Sequence, residues 1–445
     1  MSELKKEILK LVKEYVREKN SVEWDKDKDW VEYSGPTFDE DEYTAAVDTL
    51  LEGWFIMGKD SRKFELEFPK YLGKSDGVLT NSGSSANLLM MAAAASKRGY
   101  NLPKGSRIIT PVVCFPTTLN PIIQNGFKPV FVDVDLPSLN LNLNEVEYLL
   151  EMDSTIKGIT FAHVLGNPPD MDRLMRLVEK YNLIFFEDAC DALGSYYDGK
   201  KLGSFGHMST CSFFPAHHMT LGEGGFVATN DKKSRKVLAS VRDWGRACYC
   251  NTMKPGSVTE GTACGNRFRK WLPGIKDAIY DHRYVFDEIG YNLKPLELQA
   301  SIGLEQIKKL PVMDAARRTN HAQLNKIFEK YEKYFYLPSS TEKADPCWFG
   351  YLLTVKEDAP FSKDELVRYL EGKRIQTRSY FSGNILAHPG YADLAESFED
   401  INERFPNAKI ATINSLFLGT FIGITEEKLN HIRDSVDGFF KGLKL

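Results

Sequence analysis

Two adjacent imidazoles, His217 and His218, sit in the run SFFPAHHMTLGEGG, Ser212 to Gly225. The run reads as the end of a short apolar strand, a turn bearing both histidines, and a glycine-rich stretch feeding the next strand, FVATN. A lysine at such a turn could form an imine with a carbonyl compound. An imidazole cannot, but its ordinary pKa of about 6.5 suits proton transfer near neutral pH. Taken singly, either histidine reads equally well as a packed structural residue. The second chemical pattern is sulfur. Of seven cysteines, Cys190 is followed after 57 residues by Cys248-Tyr-Cys250, and after 13 more by Cys264. Four thiolates satisfy a [2Fe–2S] centre. Structural zinc favours pairs about two to four residues apart, so C-x-C argues against it. Spacing alone leaves buried free thiols as an equal alternative.

Three further features suggest pyridoxal phosphate or its amine form. Ser82-Gly83-Ser84-Ser85 opens an alanine-rich helix, where free N–H groups, hydroxyls and the helix dipole make an anion site. A plain serine N-cap is the alternative. LIFFED ends an apolar strand in Glu187-Asp188, and a carboxylate there could keep a pyridine nitrogen protonated. An acidic strand end is otherwise a solvated loop. Ser212 could add a phosphate contact, and Phe115 in VVCFPTT could stack on a ring or belong to the core.

The elements that must position these groups follow from pattern. RIITPVV, PVFVDVD, GITFAHV, LIFFED, STCSFF and FVATN are short apolar strand-type runs, with amphipathic MDRLMRLVEKYN between two of them. Alternating strands and helices predict an α/β fold with a mostly parallel sheet, whose ligands lie beyond the strands' carboxyl ends. The expected organisation is an N-terminal helix and extension over 1–40, a large domain over 41–311 and a small α+β domain over 312–445. Residues 242–284 form an irregular loop in the large domain, and a separate helix is expected from Val312 to about Tyr334. The chain has 445 residues, 42% hydrophobic and 27% charged, with a net charge of -4. No basic block points to nucleic acid or an anionic membrane, and no apolar run reaches the roughly 18 residues of a spanning helix. The charged amphipathic N-terminus is unlike a signal peptide, so a cytoplasmic location is expected.

SGSSAN, FPTTLNP, HVLGNPPDM, FFEDACDALGS, SFFPAHHMTLGEGG and GYNLKPLELQA together resemble the sugar aminotransferase group of fold type I pyridoxal enzymes. The likeness covers about Thr44 to Leu310, and more weakly the tail through TRSYFSGN. That group's cofactor-binding lysine aligns with His217, which narrows the resemblance to its sugar 3-dehydratases. DWGRACYC and CGNRF further resemble the cluster segment of the iron–sulfur, pyridoxamine-phosphate-dependent 3-dehydrases acting on CDP-4-keto-6-deoxy-D-glucose. The last cysteine gap is longer here than in that family.

The resemblance implies a fold type I architecture and non-covalent pyridoxamine 5′-phosphate. It implies His217 as the base, with a C-3 dehydration of a nucleotide-linked 4-keto-6-deoxyhexose on the way to a 3,6-dideoxysugar. Gly83, Ser84, Ser85, Phe115, His163, Asn167, Asp188, Ser212 and Asn292 would hold the cofactor, Asn292 from the neighbouring subunit of a homodimer with shared sites. Cys190, Cys248, Cys250 and Cys264 would hold a [2Fe–2S] cluster. His218, Arg378 and Asn384 would lie near the nucleotide sugar. The chain has no G-x-G-x-x-G fingerprint after a strand, so a separate NAD(P)H-dependent flavin/iron–sulfur reductase would supply electrons. Three rivals stand: a cluster-free dehydratase ending in hydrolysis, an aminotransferase using Lys201 or Lys294, and a non-catalytic binding protein on the same scaffold.

Overall fold

The computed structural model describes residues 2–248 and 267–443. Its centre is a seven-stranded sheet built from β1 (Asp76–Thr80), β2 (Arg107–Pro111), β3 (Lys128–Val132), β4 (Ile156–Ala162), β5 (Ile184–Asp188), β6 (Met208–Ser212) and β7 (Gly225–Thr229). The spatial order is β1-β7-β6-β5-β4-β2-β3. Pairs from β3 through β6 are parallel, whereas β7 runs antiparallel to both its neighbours. Successive side chains point to opposite faces, so Phe185 joins one buried core and Phe186 the other, as do Ile109 and Ile108. Apolar character on both faces is what a helix-covered parallel sheet requires. Helix Met171–Lys180 buries Met171, Leu174, Leu177 and Val178 against one face, and helix Gly83–Ala95 covers the other. Residues directly after β2 and β4, and the last residues of β5 and β6, thereby meet at one edge.

A second sheet, of β8 (Phe335–Tyr336), β9 (Gly350–Val355), β10 (Arg378–Ser379) and β11 (Ser415–Gly419), has the antiparallel order β8-β9-β11-β10. Helices Lys363–Gly372 and Glu426–Gly442 accompany it, giving the small α+β unit. The expected break before Val312 does not occur. One helix runs from Glu297 to Glu329 with Pro311 inside it. Pro311 lacks the N–H that would bond the carbonyl of Ile307. Burial of Leu310 and Met313 on either side offsets that loss. The N-terminal extension is divided between the units. Helix Glu3–Asn20 meets helix Glu40–Glu52 through Lys5 and Asp48, 2.7 Å apart, while Val31 pairs with Ile375 of the small unit. Among the described residues no helix is long and apolar enough to cross a membrane.

One histidine makes the fold sensitive to acid. His321 is buried on the long helix, its ring stacked 4.0 Å from Trp348, and burial holds its pKa down to about 3. Its unfolded value is about 6.5. The unfolded chain therefore takes up a proton below pH 6.5 that the native chain refuses, and stability falls with pH across that window. At pH 5 the cost is about 2 kcal/mol. His321→Phe keeps a stacked ring but cannot titrate. Denaturant titrations at pH 7 and pH 5 are expected to show a smaller loss for the variant than for the wild type.

Candidate active site

A cavity of about 310 Å³ opens at the strand ends, at the lower end of the roughly 300–1,000 Å³ typical of small-molecule sites. Its floor holds Asp188, the last residue of β5. Asp188 is buried, and its Oδ2 accepts hydrogen bonds from Asn87 Nδ2 at 2.8 Å and Thr118 Oγ1 at 2.9 Å. Its Oδ1 accepts from the Cys190 N–H at 3.1 Å. Asn87 is itself fixed by Thr210, whose hydroxyl donates to the amide oxygen at 2.6 Å. All these donors are neutral, and no cationic side chain among the described residues pairs with Asp188. A buried carboxylate so arranged presents its charge to whatever enters the cavity.

The opposite requirement, an anion site, is met at the start of helix Gly83–Ala95. Ser82 caps it, accepting the Ser85 N–H at 3.0 Å, so Ser85 is committed within the turn. Gly83 and Ser84 line the cavity instead, next to Ser212 at the end of β6. A Cβ on Gly83 would fall 2.4 Å from the Ser212 Cβ, so this close approach requires glycine. Thr117 contacts Ser84 through their hydroxyls at 3.3 Å. Free helix-terminal N–H groups and two serine hydroxyls thus surround one end of the cavity.

Phe115 and His163 lie on the cavity wall. The His163 Nε2–H donates to Glu187 Oε1 at 3.0 Å, both side chains being fully buried. Burial works against the Glu187 charge, yet His163 and the Gly203 and Gly206 N–H groups hold that carboxyl below its usual range. The pair fixes the ring, leaving His163 Nδ1 without a partner among the described residues.

His217 also faces the cavity, carried by the excursion between β6 and β7. The Phe213 N–H donates to Gly224 O at 2.9 Å and the His217 N–H to Phe214 O at 3.0 Å, which pins the turn. The His217 Nδ1 is buried, 3.4 Å from Asp191 Oδ1. The accessible remainder of the ring is therefore its Nε2 edge. Burial raises the Asp191 pKa despite the opposing effect of His217. From behind, the buried guanidinium of Arg317 donates to the His217 carbonyl at 3.0 Å.

The other expected residues divide. Cys190 and Arg378 line the same cavity. Burial, then the Asp188 charge, pushes the Cys190 thiol well up. Cys248 is described but is not on the cavity wall, and Cys250 and Cys264 lie outside the described residues. Among the described residues no group of three or more His, Cys, Asp or Glu is placed to hold a metal ion.

His218 turns away from the cavity. It bonds the Cys347 carbonyl through Nε2 at 2.7 Å, and burial followed by the Arg317 charge holds its pKa well below the ordinary value. Asn167 is likewise off the wall, its amide tied to Ser339 O and the Thr341 N–H. Asn384 caps a short 3-10 turn by accepting the Leu386 N–H. Asn292 is exposed and off the cavity wall, accepting from Lys294 Nζ at 2.6 Å. The alternative lysines are both elsewhere: Lys201 donates to Lys70 O, and Lys294 pairs with Asp243 at 2.9 Å. Among the described residues, no lysine lines the cavity.

Asn87, Thr118 and Asp191 were not singled out from sequence, although SGSSAN, FPTTLNP and FFEDACDALGS contain them. Their polar side chains sit within runs whose neighbours carry the stronger signals. Tyr33, also on the wall, lies in a polar stretch that offers no signal.

Residues 36–437 match the DegT/DnrJ/EryC1/StrS aminotransferase family. The lipopolysaccharide biosynthesis protein RfbH of Salmonella typhimurium is 38% identical, over 92% of this chain and 91% of that protein. The dTDP-4-dehydro-2,6-dideoxy-D-glucose 3-dehydratase of Saccharopolyspora spinosa is 37% identical, over 98% of this chain and 92% of that one. The solved structure of E. coli GDP-4-keto-6-deoxy-D-mannose-3-dehydratase with bound hydrated PLP superposes with a TM-score of 0.77 at 29% identity, covering 92% of this chain and 100% of that one. The fold is the type I pyridoxal-enzyme architecture, with a mixed, mostly parallel sheet flanked by helices.

Proposed function

Since the chain belongs to the DegT/DnrJ/EryC1/StrS aminotransferase family, we propose that it removes the 3-hydroxyl of a nucleotide-linked 4-keto-6-deoxyhexose, with pyridoxamine 5′-phosphate bound non-covalently. The observation that carries this reading is an imidazole on the wall of a cavity floored by Asp188, with no lysine among the described residues that line it. The relatives named as 3-dehydratases support the substrate class. The cradle fits the cofactor: Gly83, Ser84 and Ser212 surround an anion site, Asp188 offers a buried carboxylate, and Phe115 and His163 flank the space between. When bound, the cofactor supplies an amine for the sugar ketone and a ring that accepts electrons.

His217, through Nε2, takes the proton whose removal drives loss of the 3-hydroxyl. The Asp191 carboxyl, 3.4 Å from Nδ1, favours a proton on that nitrogen and leaves Nε2 to act as base. His163, locked by Glu187, holds its ring in place at the cavity wall. His218 sets the turn from behind rather than touching substrate.

The deoxygenation half of the reading needs two electrons. We assign Cys190, Cys248, Cys250 and Cys264 to a [2Fe–2S] cluster, supported by the four-thiol pattern and by Cys190 on the cavity wall two residues from Asp188. A separate NAD(P)H-dependent flavin/iron–sulfur reductase supplies the electrons, and the product is a 3,6-dideoxysugar. The nucleotide is assigned as CDP on sequence resemblance, whereas the relatives whose names state a nucleotide carry dTDP or GDP. A homodimer is supported by the apolar strip Trp54, Phe55, Ile56 and Leu296, each at least 41% exposed and joined where Ile56 pairs with Leu296. Asn292 lies four residues before Leu296 of that strip, and we assign it to a neighbouring subunit's cofactor phosphate on sequence resemblance.

Protein purified without oxygen is expected to hold near two irons per chain and bound pyridoxamine phosphate. With a reductase and CDP-4-keto-6-deoxyglucose it is expected to form the 3,6-dideoxy product. Cys190→Ser is expected to lose the iron and that product together. Iron-free protein that still yields a 3-deoxy-4-keto sugar would establish the hydrolytic dehydratase instead.

A further inference from the structure

Tyr33 reaches the cavity from the N-terminal extension, far in sequence from the other wall residues. The chain around it is pinned to the small unit. The Val31 N–H donates to Arg374 O at 2.8 Å, the Gln376 N–H to Val31 O at 2.9 Å, and the Tyr33 N–H to Gln376 Oε1 at 3.3 Å. A Cβ on Gly419 would fall 2.2 Å from the Tyr33 carbonyl oxygen, so the central strand β11 is cut back to let this segment lie against it. The Tyr33 ring packs edge-on against Phe417, itself on the cavity wall, at 5.9 Å.

The ring's other neighbour is Arg378, whose guanidinium carbon lies 4.1 Å from the ring centroid. Arg378 also lines the cavity, is exposed, and donates through Nη1 to Thr377 O at 2.7 Å. No carboxylate among the described residues pairs with it. A guanidinium held on an aromatic face keeps its charge and its remaining donors while losing conformational freedom. It is then preorganised for a bidentate anion, and phosphate oxygens match that fork.

We propose that Tyr33 is a positioning residue for the diphosphate of the nucleotide sugar, the platform that sets Arg378 toward it. The assignment rests on the dehydration reading for the identity of the ligand. Its physical content is separate: the N-terminal extension completes the outer wall of the cavity, and the aromatic face, rather than the phenol hydroxyl, does the positioning.

Calorimetry on the full-length holoprotein, with CDP, GDP and dTDP as probes, tests this. Wild type and Tyr33→Phe are expected to bind at least one of the three with the same affinity within twofold. Tyr33→Leu, which retains apolar packing against Phe417 but has no π face, is expected to bind at least tenfold more weakly. Arg378→Ala is expected to match it, and the double variant to be no weaker than Arg378→Ala alone. Wild-type affinity in Tyr33→Leu overturns the proposal, as does failure of the wild type to bind any of the three. Melting temperatures of each variant separate lost binding from lost folding. Wild type that binds diphosphate but turns over no 4-keto sugar supports this wall while removing the dehydration reading. Turnover with unweakened binding in Tyr33→Leu does the reverse.

Discussion

Replacing His217 with asparagine is expected to lower dehydration by about 10³-fold while leaving cofactor and iron contents at wild-type levels. General acid–base groups contribute roughly 10²–10⁴-fold. A value within that range is expected because the neighbouring titratable side chains are otherwise engaged: Glu187 holds His163, Asp191 lies against Nδ1 of His217, and His218 faces the Cys347 carbonyl. Asparagine preserves the turn, which is held by backbone bonds from His217 N–H to Phe214 O and from Arg317 to His217 O. The loss should therefore appear in kcat, with KM little changed. Single-turnover product analysis and cofactor absorbance measure both halves. Turnover retained within a few-fold of wild type removes His217 from its role.

The second large effect is expected at Asp188. Asp188→Asn keeps size and shape but removes the carboxylate charge that Asn87 and Thr118 hold toward the cavity. Removing a preorganised electrostatic partner costs on the order of 10²–10³ in rate. The variant also disturbs its surroundings in a traceable way. Asn87 Nδ2 and Thr118 Oγ1 both donate to one oxygen, Oδ2, and only the carbonyl end of an asparagine can accept them. The Cys190 N–H, which donates to Oδ1, then meets an amide NH₂. Weaker retention of pyridoxamine phosphate on dialysis is expected beside the slower turnover. An Asp188→Asn protein with unchanged rate and retention would mean that this carboxylate serves structure alone.

Why some of this was legible in the sequence and some not is a matter of which interactions are local. Strand-type apolar runs located β2 to β7, because residues buried on both faces need continuous hydrophobicity. β1 escaped notice: DGVLT is short, and its place at the sheet edge depends on pairing with β7, more than a hundred residues away. The long helix was divided at Pro311 because a proline ordinarily ends a helix, and only the packing of Leu310 and Met313 overrides it. At the site, Asp188, Gly83, Ser84 and Ser212 each lie at the end or start of an element, which pattern makes visible, and His217 follows in the turn after β6. Asn167 and Asn384 look the same in sequence but spend their amides on neighbouring backbone. Tyr33 depends wholly on where the extension lies, which no local pattern encodes.

The unbroken helix through Pro311 has a mechanical consequence. At 33 residues it is about 50 Å long. It touches the large unit through Gln306, which accepts the Thr220 N–H, and the small unit through Asn320, which donates to the Thr420 and Phe421 carbonyls. Between these points Arg317 grips the His217 carbonyl on one side and the Phe349 carbonyl on the other. The two halves of the molecule thus share one beam, and the turn carrying His217 is bolted to it. Opening by a hinge at the domain junction would have to snap that beam or drag the histidine along. Any widening of the cavity mouth is therefore left to the segments that border it, while the His217 turn stays tied to the beam.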